Sequence, residues 1–275
     1  MKQGVRHYEN FPVATCLCPP ALRPAVTAIY WFARTADDIT DEGSALPQSR
    51  LDDLRAYRAD LAVCTLGKSA SSRRWPHVFE PLALAIAKYR LPVRLLQDLL
   101  DAFEQDVVKT RYADDAELLD YCRHSANPVG RLLLHLYGVG DAASLAQSDC
   151  ICTALQLINF WQDLSIDIPR GRIYLPQAWA ASHGISEAQL LALEVNGAST
   201  RLVEHCLAWA VSLMRIGAPL AKKVPGRAGW ELRLVVQGGL RIAEKIGALG
   251  FKTLKARPKL GAWDAIVMVW RALLM

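Results

Sequence analysis

Apolar residues recur at spacings of three and four along most of the chain, which is the period of a buried helix face. The clearest case runs from Leu232 to Leu249, with apolar side chains at 232, 235, 236, 240, 243, 246 and 249. Similar patterns predict helices over residues 20–41, 48–65, 75–88, 92–110, 115–138, 142–167, 199–221 and 229–255. No segment sustains the two-residue alternation of a half-buried strand. The pattern therefore predicts an all-α protein.

Prolines and glycines interrupt these helical patterns at a few places. Asn127-Pro128 divides one pattern, Pro169 and Gly171 end another, and Lys223-Val-Pro-Gly226 separates two more. The serine-rich KSASSRR, residues 68–74, indicates an exposed loop. Since no repeat or change of composition marks a boundary, we expect residues 1–275 to form a single helical domain.

Composition and charge exclude several classes of protein. The 275 residues are 52% hydrophobic and 21% charged, which is typical of a folded chain. The formal net charge of +5 is spread rather than gathered into a basic stripe, so we expect no nucleic-acid partner. That charge is compatible with a modest attraction to anionic membranes or phosphorylated substrates.

The cysteines and the two ends of the chain indicate a cytoplasmic location. The seven cysteines are odd in number, and the two close pairs, Cys16/Cys18 and Cys150/Cys152, are spaced C-x-C, which favours small buried thiols in a reducing compartment. The N-terminus lacks the apolar core of a signal peptide, and no apolar run reaches the ~20 residues of a spanning helix. The C-terminal AWDAIVMVWRALLM, residues 262–275, predicts a last core helix. The alternative is an amphipathic stretch that rests on the inner face of the membrane.

Four acids follow an aromatic stretch in YWFARTADDITDEG, residues 30–43. Asp37 and Asp41 are four apart, and like charges at that spacing repel by roughly 0.2–0.5 kcal/mol. A basic partner, solvent or a bound cation would offset that cost. Arg34 lies one turn earlier and could form an ordinary helical ion pair with Asp38. Residues 28–33 are apolar all round, which predicts a buried helix.

A second polar row lies in ALQLINFWQDLSIDIPRGRIYLP, residues 154–176. Asn159, Asp163 and Asp167 are four apart, so on one helix they share a face, with Gln156 on the same side. If the two acidic rows face each other, their oxygens form a cage for Mg²⁺ and substrate phosphates. For either row alone the simpler interpretation is solvated acids. Mg²⁺ over a diphosphate promotes ionisation, and the resulting carbocation needs a dry, aromatic-lined pocket.

These residues resemble the motifs of the squalene/phytoene synthase family. The first row is similar to its Y-x-x-x-R-x-x-D-D-x-x-D-E pattern, and the second to Q-x-x-N-x-x-x-D-x-x-x-D followed by G-R-x-Y-L-P. Between them, DVVKTRY (106–112) and YCRHSANPVGRL (121–132) resemble two further family segments, in the family's order. The resemblance covers almost the whole chain. It implies the class I isoprenoid synthase fold, an all-α bundle around a deep central cavity.

The resemblance also implies roles for individual residues. Mg²⁺ would be held by carboxylates and an amide of the two rows: Asp37, Asp38, Asp41, Asn159, Asp163 and Asp167. The substrate would be bound by Arg34, Gln156, Asn159, Arg170, Arg172, Asn127 and Phe11, with the guanidinium groups on phosphate oxygens. Tyr30, Tyr121 and Tyr174 would line the reaction cavity, the alternative being core packing with a satisfied hydroxyl.

The N-terminal segment bears on the reaction within the family. Many condensing members carry an S-x-S-F-like segment, where this chain reads HYENFPVA, residues 7–14. Glu9 would be unfavourable beside a second diphosphate. This departure puts a two-substrate condensation in doubt. The HYENFPVA opening, the FARTADDITDEG run and NFWQDLSIDIPRGRIYLP resemble members of the bacterial hopanoid pathway that ionise presqualene diphosphate and capture the rearranged cation with water, without nicotinamide. His7, Glu9 and Asn127 are candidates for positioning that water, and Glu9 could equally be a surface acid.

The sequence leaves three other interpretations open. A condensing synthase would join two prenyl diphosphates to presqualene diphosphate, squalene or phytoene. A non-catalytic helical assembly factor should have lost motif acids, yet all four are present. A di-iron carboxylate protein would use E-x-x-H pairs, which the sequence lacks. The expected partner is a prenyl diphosphate, with hand-off of an apolar product at a membrane or to a neighbouring pathway enzyme.

Overall fold

A computed structural model describes residues 18–66 and 73–275. Phe11, His7, Glu9 and the rest of the HYENFPVA segment lie outside the described residues, as does most of KSASSRR. The helices of the described ranges are α1 Arg23–Asp41, α2 Pro47–Thr65, α3 Pro76–Tyr89, α4 Val93–Val108, α5 Asp115–Ser125, α6 Asn127–Leu136, α7 Ala142–Gln162, α8 Leu164–Asp167, α9 Gln177–Ser182, α10 Glu187–Leu191, α11 Gly197–Gly217, α12 Leu220–Lys223, α13 Gly226–Ala248 and α14 Ala262–Leu274. A short 3₁₀ turn covers Ile168–Arg170.

The predicted all-α class is confirmed, with some differences in the bounds. Helix α6 begins at Asn127, and Pro128 in its first turn divides the 115–138 pattern, as the sequence indicates. The predicted 142–167 helix is wrong as one element, because it breaks at Asp163. The short helices α9 and α10 were not predicted, since six and five residues carry too little periodicity. In the described ranges the only β-bridge is a parallel one between Arg111 and Ile173.

Polar side chains fix where several helices begin. Asp114 accepts a hydrogen bond from the backbone nitrogen of Glu117 at 2.9 Å, and Asp141 accepts one from that of Ser144 at 2.9 Å. Asn196 accepts from the backbone nitrogens of two residues in the first turn of α11. These contacts satisfy backbone donors that a helix start leaves without partners.

The core consists of two groups of buried side chains. Helices α1 to α4 pack together around Phe32, Tyr57 and Phe79, which are at most 2% exposed. Helix α7 is central to the second group and packs against α6, α11 and α13. The prediction that residues 28–33 are buried all round is wrong at Trp31, which is 42% exposed. One side of α1 therefore reaches the surface.

Helices α11 and α7 approach each other closely at Gly217. A Cβ at this position would lie 2.6 Å from the carbonyl oxygen of Gln147 and 2.6 Å from a side-chain carbon of Ile151. The missing side chain allows the two backbones to come together.

The C-terminal helix forms, but the prediction of a last core helix is wrong. Only Asp264 and Ala272 of α14 are buried, whereas Trp263 and Leu274 are more than 70% exposed. Helix α14 packs against α13 and leaves its other side open. None of the described helices combines the length and the apolar character needed to cross a membrane.

The described cysteines behave as predicted. Cys18, Cys64, Cys122, Cys152 and Cys206 are buried, and Cys150 is half-buried. All six are free thiols, and burial raises the pKa of Cys122 above its ordinary value. They act as small apolar side chains, whereas Cys16 lies outside the described residues.

Candidate active site

A cavity of about 370 Å³ lies between α1, α4, α5, α6, α7 and α13. Its walls are mostly aliphatic, and it has a charged end where Arg34 and Asp37 of α1 meet Asp106 of α4. The aliphatic lining includes Leu99, Leu133, Leu134, Ile151, Leu155, Leu232 and Val235. The arrangement suits a ligand with an ionic head and a long hydrocarbon tail.

The cavity follows α1 lengthwise. Val26 and Asp37 both line it, and eleven helical residues span about 16 Å. Near the Val26 end a smaller polar group lines the wall, formed by Cys18, Tyr137 and Glu231. Tyr137 hydrogen-bonds Cys18, and the charge of Glu231 contributes, after burial, to the raised pKa of both. Two polar regions are therefore separated by an apolar stretch.

Arg34 offsets the repulsion within the first acidic row. Its guanidinium lies 3.2 Å from a carboxylate oxygen of Asp37, 2.7 Å from Asp38 and 3.0 Å from Glu42. The predicted Arg34–Asp38 ion pair is thus confirmed, within a wider network. Burial raises the pKa of Asp38, and the Arg34 charge opposes that effect. A basic partner, the first of the three candidates, is present.

The second row crosses a break in the helix without losing its register. The backbone nitrogen of Asp163 donates to the carbonyl oxygen of Asn159 at 3.0 Å, and that of Asp167 to Asp163 at 2.9 Å. Ser165 instead donates to the carbonyl oxygen of Thr253 at 3.1 Å, outside the helix. The backbone hydrogen bonds that link Asn159 to Asp163 and Asp163 to Asp167 therefore persist, although α7 ends at Gln162.

Arginines join the two rows and tie the second to the C-terminal part of the chain. Arg172 binds both carboxylate oxygens of Asp41, at 2.9 and 2.5 Å. Arg257 lies 2.5 Å from a carboxylate oxygen of Asp163. Phosphate was the predicted partner of Arg172, whereas Arg257 belongs to none of the motifs and was not predicted.

Two carboxyl groups at the charged end retain protons more strongly than usual. Burial, reinforced by the charge of Asp163, raises the pKa of Asp167 to about 7, against the opposing charges of Arg172, Arg170 and Arg257. Burial also raises the pKa of Asp106 to about 7, although the Tyr121 hydroxyl donates to it at 2.9 Å. Negative charge at this end is therefore only partly compensated.

Asp106 was missed as a site residue although the sequence contained a signal for it. It is the first residue of DVVKTRY, a segment noted only for its family likeness. It lines the cavity, and the charges of Asp37, Asp41 and Arg172 all act on its pKa. It therefore lies among residues of the first row and the arginine that follows the second.

The three predicted tyrosines occupy two different positions. Tyr30 and Tyr121 line the cavity. Tyr174 is 8% exposed and stacks on Phe160, with ring centroids 3.8 Å apart, and is not among the lining residues. Its ring lies 6.2 Å from that of Tyr121, so it forms an aromatic layer behind the wall.

The remaining predicted residues are dispersed. Gln156 lines the cavity, whereas Asn127 is buried beside it and accepts a hydrogen bond from Thr153 at 3.0 Å. Asn159 is half-buried on α7 and Arg170 is exposed at the end of the 3₁₀ turn. Phe11 lies outside the described residues.

No group of three or more His, Cys, Asp or Glu side chains in residues 18–66 and 73–275 is close enough to hold a metal ion unaided. Asp37, Asp41 and Asp163 each pair with an arginine. The donors are nonetheless carboxylate oxygens, which Mg²⁺ prefers. Burial and the charge of Asp163 raise the pKa of Asp167, and a bound cation would oppose both effects, so the donor set is of the kind that suits the ion.

Comparisons with known proteins agree with this fold and these motifs. A profile of the squalene/phytoene synthase family matches residues 5–264. Hydroxysqualene synthase from Sinorhizobium fredii is 35% identical over 239 residues, covering 86% of this chain and 78% of that protein. Phytoene synthase from Thermus thermophilus is 28% identical, and the match covers 98% of this chain and 89% of that protein.

A solved structure gives the same result. The crystal structure of squalene synthase HpnC from Alicyclobacillus acidocaldarius superposes with a TM-score of 0.81 and 34% sequence identity, covering 89% of this chain and 90% of the other. Together with the motifs, this establishes the fold and the kind of enzyme. The chain belongs to the squalene/phytoene synthase family, whose members act on prenyl diphosphates.

Proposed function

We propose that this enzyme converts presqualene diphosphate and water into hydroxysqualene and diphosphate, in the biosynthesis of squalene and hopanoids. The carbon–oxygen bond to the diphosphate breaks, the electron pair leaves with the diphosphate, and the cyclopropylcarbinyl cation that remains rearranges. Water then adds to the cation and loses a proton. The observation that carries this proposal is an aliphatic cavity with a charged end at Arg34, Asp37 and Asp106 and a separate polar group at Cys18, Tyr137 and Glu231.

The charged end would receive the diphosphate. Asp37, Asp41, Asp163 and Asp167 would hold Mg²⁺, with Asp38 and Asn159 as further oxygen donors. Mg²⁺ bound there would stabilise the charge that develops on the leaving diphosphate. Arg34 and Arg172 already lie among these carboxylates and can turn their forked donors toward phosphate oxygens. Arg170, exposed beside Asp167, supplies a further positive charge.

The cavity wall would protect the cation. Its aliphatic side chains exclude bulk water, and Tyr30, Phe103 and Tyr121 supply ring faces that interact favourably with positive charge. Tyr121 also donates its hydroxyl hydrogen to Asp106, which holds the ring in place. Tyr174 supports that ring from behind.

We assign water positioning to the second polar region. Of the earlier candidates, Asn127 accepts a bond from Thr153 and does not line the cavity, and His7 and Glu9 lie outside the described residues. Glu231 and Tyr137 do line it, at the end opposite the charged one. A carboxylate and a phenol can orient a water molecule and accept its proton.

The second candidate is condensation of two prenyl diphosphates. Its specific support is the likeness to a phytoene synthase along 98% of this chain. Greater identity to hydroxysqualene synthases, 35% against 28%, and the Glu9-containing N-terminal segment favour the first proposal.

A paired assay separates the two. The purified enzyme with Mg²⁺ and no nicotinamide receives presqualene diphosphate in one reaction and farnesyl diphosphate in the other, with products identified by mass spectrometry. Hydroxysqualene from presqualene diphosphate alone is the expected result. Presqualene diphosphate formed from farnesyl diphosphate would make the enzyme a condensing synthase and overturn the proposal.

A further inference from the structure

Helix α14 turns its charged side chains toward the protein. Asp264 lies 2.7 Å from Arg241 and 2.5 Å from Lys245 of α13, and also accepts from the backbone nitrogen of Gly261 at 2.6 Å. Arg271 pairs with Glu244 of α13. These are the two charged residues of α14, so the ion pairs help to fix which side of the helix faces α13.

The opposite side of α14 is apolar and exposed. We call this surface the α14 outer face; its large side chains are Trp263 (78% exposed), Ile266 (59%), Val269 (51%), Trp270 (62%), Leu273 (56%) and Leu274 (71%). At 100° per residue they fall within about 140° of the helix circumference. A helix in water normally has the reverse arrangement. Six large apolar side chains on one helix face exceed the scattered exposure of an ordinary surface.

The part of the chain that contains α13 and α14 is rich in positive charge. From residue 222 to residue 275 the chain has eleven Lys and Arg against three Asp and Glu, a formal charge of +8, more than the +5 of the whole chain. Two of the three acids, Glu244 and Asp264, are occupied by the ion pairs with Arg271, Arg241 and Lys245. Lys252, Lys255 and Lys259 are exposed in the segment that leads into α14.

This charge distinguishes between possible occupants. A second copy of the chain would bring a like-charged rim against this one, which costs free energy. An anionic bilayer offers hydrocarbon for the apolar side chains and negative headgroups for the lysines. Tryptophans such as Trp263 and Trp270 favour the boundary between the two.

We propose that the α14 outer face is a docking surface for an anionic lipid bilayer, on which the enzyme rests without crossing it. Helix α13 connects this surface to the cavity, since Leu232 and Val235 line the cavity while the same helix carries α14. An apolar ligand of the cavity would thus be one helix away from lipid. The surface is inferred from α14 and from the three exposed lysines that precede it, and it does not depend on the proposed reaction.

The test measures co-sedimentation of the purified full chain with vesicles of phosphatidylcholine and phosphatidylglycerol at 70:30, and with pure phosphatidylcholine. The wild type should bind the mixed vesicles and lose most binding in pure phosphatidylcholine or high salt. The double substitution Ile266→Glu with Trp270→Glu should weaken binding at least tenfold. Leu84→Glu is the matched control, because Leu84 is 73% exposed on α3, outside the α14 outer face, and it should bind like the wild type.

A second pair of variants guards against misfolding. Lys255→Glu with Lys259→Glu alters exposed side chains outside any helix and should also reduce binding to the mixed vesicles, with unchanged helical content by circular dichroism. Absence of vesicle binding by the wild type, or equal loss in Leu84→Glu, would overturn the proposal. A wild-type dimer in sedimentation equilibrium that Ile266→Glu with Trp270→Glu converts to a monomer would instead assign the face to a second copy.

Discussion

Arg172 holds both carboxylate oxygens of Asp41, a residue 131 positions away in the chain. This contact joins the end of the first acidic row to the segment that follows the second. Because the guanidinium is planar and forked, it fixes the orientation of the carboxylate as well as its distance. The two rows therefore have a common geometry that neither helix could establish alone.

Replacement of Arg172 by lysine tests that geometry. Lysine retains the charge but cannot bind two oxygens at once, so turnover of the prenyl diphosphate should fall about 100-fold through misplacement of Asp41. The pair is partly solvated, and the free energy of unfolding should change by less than about 1 kcal/mol. Steady-state kinetics and urea unfolding measure the two effects.

Arg131→Lys is the matched control. Arg131 binds both oxygens of Asp149 at 2.9 and 2.6 Å with the same forked geometry, and neither residue lines the cavity. Its turnover should remain within about twofold of wild type. Equal losses in both variants would show that the Arg172 effect is a general consequence of breaking a forked ion pair.

Asp37→Asn and Asp167→Asn test the proposed Mg²⁺ site. Each keeps the side-chain shape and removes a negative ligand, so turnover should fall at least about 100-fold while circular dichroism stays unchanged. Chelation by EDTA should abolish wild-type activity, and added Mg²⁺ should restore it.

The control for the acid variants is Asp101→Asn on α4. Asp101 lies 2.8 Å from Arg58 in an ion pair, and it does not line the cavity. Its activity should match the wild type. Normal turnover by either site variant, or activity that persists in EDTA, would contradict the assignment of a metal to these residues.

Asp106 should make stability depend on pH. Burial raises its pKa from 3.8 to about 7, so between those values the native protein keeps a proton that the unfolded chain releases. The free energy of unfolding should therefore fall as the pH rises from about 4 to about 7 through this group. Asp106→Asn removes this contribution and can still accept the Tyr121 bond.

Thermal unfolding at a series of pH values checks this. The midpoint of Asp106→Asn should exceed that of the wild type at pH 8, by at least about 2 °C if the gain is near 1 kcal/mol, and the two should converge toward pH 4.5. If the unfolding midpoints of the two proteins differ by the same amount at every pH, burial does not raise the pKa of Asp106.

Gly217 should not tolerate a side chain. A Cβ would lie 2.6 Å from the Gln147 carbonyl oxygen, part of a helix backbone that cannot move aside easily, so Gly217→Ala should destabilise by about 1–3 kcal/mol. Gly247→Ala, also in a helix, meets only ordinary contacts at 3.9 Å and should be neutral or stabilising by up to about 1 kcal/mol. Chemical unfolding of both variants measures the difference. Similar stabilities would mean that α7 and α11 can separate freely.

Glu231→Gln tests water positioning. The amide cannot accept a full proton, so hydroxysqualene formation should fall at least about tenfold and dehydrated products should increase, while consumption of presqualene diphosphate falls less. Mass spectrometry of the products measures the partition. An unchanged product ratio would remove Glu231 from this role, and Glu204→Gln, an exposed acid on α11, is the control.

The helices could be predicted from the sequence because each depends on residues that are close together in the chain. Apolar spacing gave the helices, Pro128 marked the start of α6, and the acids of residues 37–42 and 163–167 indicated diphosphate chemistry. The break at Asp163 could not be read in this way. It depends on Thr253, whose carbonyl oxygen accepts from Ser165 after the chain has returned from 88 residues further on.

The helical class, the family motifs and the positions of the charged residues could all be predicted from the sequence. Which charges meet depends on the tertiary structure: Arg172 pairs with Asp41, Arg257 with Asp163, and Asp264 with α13. Apolar periodicity shows that a helix has an apolar face but not what covers it, and for that reason α14 was predicted to be a core helix although its apolar face is exposed. Burial and ion pairing depend on which segments the whole fold brings together, and no local pattern contains that information.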